Sequence, residues 1–190
     1  DWSSDVCSSD LMKINLLTAI AMFVFSFSAF ASGTQHGDHS NHGKKMKHKE
    51  RVKLSDSEQK EVISALEANE ALHASFFTYD AKKVESNAVK LSEAIKKISN
   101  SEVKKLLEFS LTKIADIKAG NDRDKNNQNY HLASMALIHI VNKYDVGDKY
   151  NAYSCPMVKK KWIQNSKKMA KVHNPYAPEM PHCGSQDSHF

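Results

Sequence analysis

The chain has 190 residues, with 27 Lys and Arg against 22 Asp and Glu, for a formal net charge of +5 with histidine neutral. That length supports a single domain around one hydrophobic core. The lysines are scattered along the chain without interleaved aromatics, which excludes a single-strand nucleic-acid groove; they read as solvated helix faces, with attraction to anionic envelope surfaces left open.

Taken in chain order, residues 1–11 resemble translated sequencing-adapter DNA and are set aside with Cys7. Met12-Lys13 then opens an apolar run from Ile14 to Phe30 that ends in the small-residue pattern Ala29-Phe30-Ala31. This predicts a signal peptide over 12–31, cleaved after Ala31. The run is short for a comfortable membrane span, so no stable span is expected after cleavage and a periplasmic location follows. Removing the three acids and one lysine ahead of Ser32 raises the formal charge to about +7.

The leader over 32–54 holds His36, His39, His42, Met46 and His48 among glycines and polar residues. So few apolar groups cannot repay the entropy of ordering, and disorder is expected. Histidines three residues apart on a flexible chain can wrap an ion such as Cu(II), Zn(II) or Ni(II), weakly, because neighbouring lysines repel cations. Met46 adds a thioether suited to Cu(I).

Four amphipathic helices are expected next. Ser55 and Glu58 form a capping-box pattern, followed by Val62, Ala65, Leu66, Leu72 and Phe76 on one face. Asp80 caps a second helix whose stripe is Val84, Ala88, Leu91, Ile95 and Ile98. Ser99 and Glu102 repeat the box before a third helix with Val103, Leu107, Ile114 and Ile117, stopped at Gly120. A fourth runs from about Asn126 to Tyr144. Short connections favour antiparallel neighbours, which predicts an all-α fold: an up-down four-helix bundle with an irregular Cys/Met/Pro segment packed on it. His73, His131 and His139 read as ordinary surface or satisfied core histidines, because the helices offer a single Glu-x-x-His, Glu70 to His73, where a di-iron bundle needs two; Met135 reads as core filler.

The domain is expected to span 55–184, with 185–190 as a tail. Prolines at 156, 175, 178 and 181 forbid a long helix at its end, leaving room for one short helix over Lys159 to Lys171. Trp162, Tyr153 and Tyr176 supply anchors. Both cysteines of this region sit in sulfur-rich settings, Cys155-Pro156-Met157 and Met180-Pro181-His182-Cys183. Two chemistries fit. One is a soft-ion site, with Cys155, Met157, Met180, His182 and Cys183 as candidate ligands and copper as the ion. The other is a Cys155–Cys183 disulfide closing a loop of about 28 residues, worth on the order of 3 kcal/mol. No paired carboxylates, phosphate loop or activated nucleophile point to an enzyme.

Cys155-Pro156-Met157, Trp162, Asn174-Pro175-Tyr176, Met180 and Cys183-Gly184 together resemble the signature of the exported bacterial domain-of-unknown-function family numbered 3347, over about Gln59 to Gly184. The resemblance implies copper or heavy-metal handling and, as a partner, a periplasmic adaptor of heavy-metal efflux pumps. The chain departs from the pattern at Lys159-Lys160-Lys161, where the family tends to have a glycine-containing turn, and at Ala177-Pro178-Glu179, where a glycine often sits. The alternative function is a non-catalytic interaction module that docks on such an adaptor with the cysteines as a permanent disulfide.

Overall fold

A computed structural model describes residues 50–190. The element order is α1 (Asp56–Phe77), α2 (Ala81–Lys96), α3 (Ser101–Ala115), α4 (Arg123–Lys143), β1 (Tyr150–Cys155), β2 (Lys160–Asn165) and β3 (Ser185–Gln186). Residues 1–11, the expected signal peptide, and His36, His39, His42, Met46 and His48 lie outside the described residues.

Local capping sets the helix starts. The Ser55–Glu58 box forms in full at α1, and Asp80 caps α2 by accepting from the Lys83 N–H. The third cap is Asn100, whose side chain accepts from the Val103 N–H; Ser99 instead donates its N–H and hydroxyl to Glu61 at the start of α1. Asp122 caps α4, whose first residue, Arg123, lies three residues before its expected start. Gly120 is not the stop of α3, which ends at Ala115 with Asp116 as its cap.

The helices run up and down. Asn87 on α2 donates to the Ala71 carbonyl of α1, while Ser99 reaches back to Glu61. Ser110 on α3 donates to the Ala133 carbonyl of α4, and Lys143 pairs with Glu102 at the other end. The predicted stripes form the core: Val84, Ala88, Leu91 and Ile95 are buried on α2, and Val103, Leu107 and Ile114 on α3. Met135 does not join them. It is 43% exposed, because it faces away from the buried Ala133, Leu137 and Ile140 of its own helix.

The all-α expectation is wrong at the C-terminal end. There the chain makes a three-stranded antiparallel sheet in the order β2-β1-β3, with β2 packed on α1 and α4 and β1 on α4. The expected short helix around Trp162 is strand β2, paired residue by residue with β1 from Tyr150↔Asn165 to Cys155↔Lys160. The misreading has a physical cause. A half-buried strand betrays itself by alternation, but Tyr150, Asn151, Ala152 and Tyr153 are buried in succession, as are Trp162, Ile163 and Gln164.

Both assigned edges of the domain also move outward. Val52, assigned to the leader, forms a parallel bridge with Tyr144, donating its N–H to the Lys143 carbonyl and accepting from the Asp145 N–H. Arg51 donates to the Gly147 carbonyl, pairs with Asp145 and lies 4.0 Å over the Phe190 ring. The 185–190 tail contributes β3 and the buried Ser188, whose hydroxyl accepts from the Ala152 N–H.

Candidate sulfur site

Two distant parts of the chain meet at the end of the sheet. β1 ends on Cys155, which is 1% exposed. β3 pairs with β1 through Tyr153↔Gln186 and Ser154↔Ser185, so Cys183, two residues earlier, is carried back to Cys155. Their Sγ atoms stand 2.8 Å apart, and both are free thiols. A disulfide needs about 2.05 Å, and two thiolates on one tetrahedral ion sit about 3.8 Å apart. Each arrangement is about an ångström from the one observed.

The approach depends on Gly184, whose φ is +138°. A Cβ there would lie 2.6 Å from the Ser154 carbonyl oxygen and 3.0 Å from the Trp162 ring. Trp162 is fully buried, stacked 6.0 Å from Tyr153 and edge-on to Tyr176 at 6.0 Å. The expected aromatic anchors therefore form the floor on which the two cysteine segments rest. Asn174 ties the far segment in place by donating to the Cys183 carbonyl at 3.0 Å and accepting from the Tyr176 N–H at 2.9 Å.

The two thiols are not equivalent. Burial alone would raise the Cys155 thiol; hydrogen bonds from Cys183, from the Val158 and Met157 backbone N–H groups and from Asn174 outweigh it and hold Cys155 below the ordinary thiol range. Cys183 is pushed up, first by its hydrogen bond to Cys155, then by burial and the partner's charge. Cys155 is thus the more readily ionised of the two, with Cys183 placed to donate to it.

The other predicted ligands are placed less closely. The Met157 side chain is 67% exposed and that of Met180 37% exposed. Their backbones serve the site instead: the Met157 N–H faces Cys155 Sγ, and the Met180 carbonyl accepts from the Cys183 N–H at 3.0 Å. His182 is exposed and turns Nδ1 to the Val172 carbonyl at 2.8 Å. Among the described residues, no group of three or more His, Cys, Asp or Glu side chains is gathered for a metal ion.

Sequence reasoning missed a cavity of about 400 Å³ against Cys155, lined also by His131, Met135, Pro156, Lys159 and Lys160. Its only sequence signal was the four-residue spacing of His131 and Met135, which puts both on one face of α4. His131 Nδ1 accepts from the Lys161 N–H at 3.0 Å, so its neutral ring carries the proton on Nε2 and acts there as a donor. Lys159 adopts φ 52°, a conformation that glycine takes freely.

His73 supports the site from below. It is 1% exposed, with Nε2 2.9 Å from the His173 carbonyl oxygen and Nδ1 3.2 Å from that of Ile163. As a neutral ring it donates to one of these two carbonyls, and its packing ties α1 to β2 and to the segment before Asn174; it is a core histidine as expected. Comparison with family models, curated proteins and solved structures returns no match for the chain.

Proposed function

We propose that this protein binds a soft metal ion, with Cu(I) the best fit, through Cys155 and Cys183, and that it serves copper or heavy-metal homeostasis in the periplasm as a binding protein rather than an enzyme. The observation that carries the reading is the meeting of the two sulfurs, one of them held toward its thiolate form by backbone N–H groups. Thiolate donors select Cu(I), which accepts two ligands. A structural zinc site wants four, and the described residues gather no such set. The resemblance of the Cys155-Pro156-Met157 and Cys183-Gly184 segments to a family associated with heavy-metal efflux points the same way. Among the described residues no helix is long and apolar enough to cross a membrane.

Titration of the fully reduced protein with Cu(I) against a competing chelator tests the proposal. One equivalent is expected to bind, and the Cys155→Ser, Cys183→Ser double variant is expected to lose at least a hundredfold in affinity. Equal affinity in the two proteins would remove the proposal.

A second reading is favoured by the burial of Cys155: the pair is a permanent disulfide that staples β1 to the segment before β3, and the domain docks on an efflux adaptor or another envelope protein. Mass spectrometry of protein trapped by alkylation directly from cells separates the two. Free thiols are expected for metal binding, and complete oxidation for docking.

A further inference from the structure

We infer that His173 and His182 form a second metal site, made of imidazoles and suited to a divalent transition ion, beside the sulfur pair and independent of it. The loop between them is closed by the Asn174 N–H, which donates to the Pro181 carbonyl at 2.8 Å. One residue further out on each side stand His173 and His182, their rings tilted by 43° with centroids 6.1 Å apart. With metal–nitrogen bonds of about 2.0–2.1 Å, each centroid lies about 3.2 Å from a shared ion, so two rings on one ion have centroids roughly 5 to 6.5 Å apart. The observed spacing falls within that range.

The hydrogen bonds select the right chemical form. His182 Nδ1 lies 2.8 Å from the Val172 carbonyl oxygen, which can only accept, so Nδ1 carries the proton. That leaves the Nε2 lone pair free, the tautomer that metal-ligating histidines take when a carbonyl orients them. His173 is positioned without spending its ring nitrogens. Its ring packs on Phe77 at 4.3 Å, and its backbone carbonyl, not its imidazole, faces His73. His73 and His131 lack this combination. His73 has both nitrogens committed to carbonyls in the core, and His131 has its Nδ1 taken by the Lys161 N–H. Two protein ligands leave the other coordination positions to water or a partner, as befits an exposed, exchangeable site rather than a structural one.

The test uses the full chain with Cys155 and Cys183 oxidised to the disulfide, so that thiolates do not compete, and Zn(II) alone as the probe. Ring-nitrogen NMR resonances distinguish this pair from the leader histidines. His173 and His182 are expected to shift together with one apparent Kd, and His182→Gln is expected to raise the Kd read at His173 at least tenfold. His182 is exposed, so this variant should keep the parent's melting temperature; His173→Gln should give the mirror result at His182. Independent titration of the two rings, or a His173 response unchanged by His182→Gln, overturns the inference. Because the thiols are blocked throughout, the outcome does not depend on the Cu(I) titration, and either can fail alone.

Discussion

Gly184→Ala is expected to destabilise the domain by about 2–4 kcal/mol and to lower its Tm by about 10 °C. Two effects add. The residue sits at φ +138°, where a side chain is strained, and its Cβ would press to 2.6 Å on the Ser154 carbonyl oxygen, a backbone atom of β1 that cannot swing away. Relief requires the chain at 183–185 to lift off β1, which carries Cys183 away from Cys155. The variant should therefore form the Cys155–Cys183 disulfide more slowly and bind Cu(I) more weakly. Gly120→Ala is the control, since nothing lies within 4 Å of a Cβ there. Urea unfolding of the two variants checks the expectation; a loss below about 0.5 kcal/mol for Gly184→Ala would show that the close approach of β1 and residue 184 is not what holds the two segments together.

Acid should weaken the fold before most carboxylates titrate, and His73 should be the largest single cause. Its folded pKa is lowered to about 4, chiefly by burial, with the two carbonyls opposing. An exposed histidine titrates near 6.5. Between those values the unfolded chain binds a proton that the folded chain refuses, so stability is complete above about pH 6.5 and is lost as pH falls toward 4. The gap corresponds to roughly 3 kcal/mol. Burial also lowers His131 and His173, which contribute to the same window, so the comparison that isolates His73 is the difference between the parent and His73→Leu. At pH 7 the variant should be less stable, because the carbonyl that accepts from the neutral ring, that of Ile163 or His173, then faces an apolar side chain. Across pH 7 to 4 its stability should fall less steeply than the parent's, by about 3 kcal/mol over the window. Parallel stability curves for the two proteins would show that His73 carries its charge in the fold, donating to both carbonyls.

The two expectations concern opposite sides of one structure. Gly184 lets the last segment reach the sheet, and His73 holds the sheet and the 173 segment to α1. Both lie outside the predicted ligand set, yet both decide where the sulfurs stand. A glycine after a cysteine looks ordinary in a sequence, and so does a histidine on an apolar helix face; each gains its meaning from a neighbour about thirty or about a hundred residues away.

What the sequence determined by itself was whatever rests on neighbours a few residues apart: the four amphipathic stripes and the caps at Ser55 and Asp80. These are readable because a helix makes its hydrogen bonds and shows its apolar face within one or two turns. The tertiary structure alone decided the rest. It turned the segment around Trp162 from helix to strand, because pairing with β1 and burial on α1 and α4 supply what no local periodicity announces. It drew residues 51–52 and the last six residues into the domain through bonds to partners distant in sequence, Val52 to Lys143 and Asp145, and Ser188 to Ala152. It also set the 2.8 Å between the sulfurs and the closeness of His173 and His182, since a distance between side chains far apart in sequence is fixed only when the backbone between them has closed.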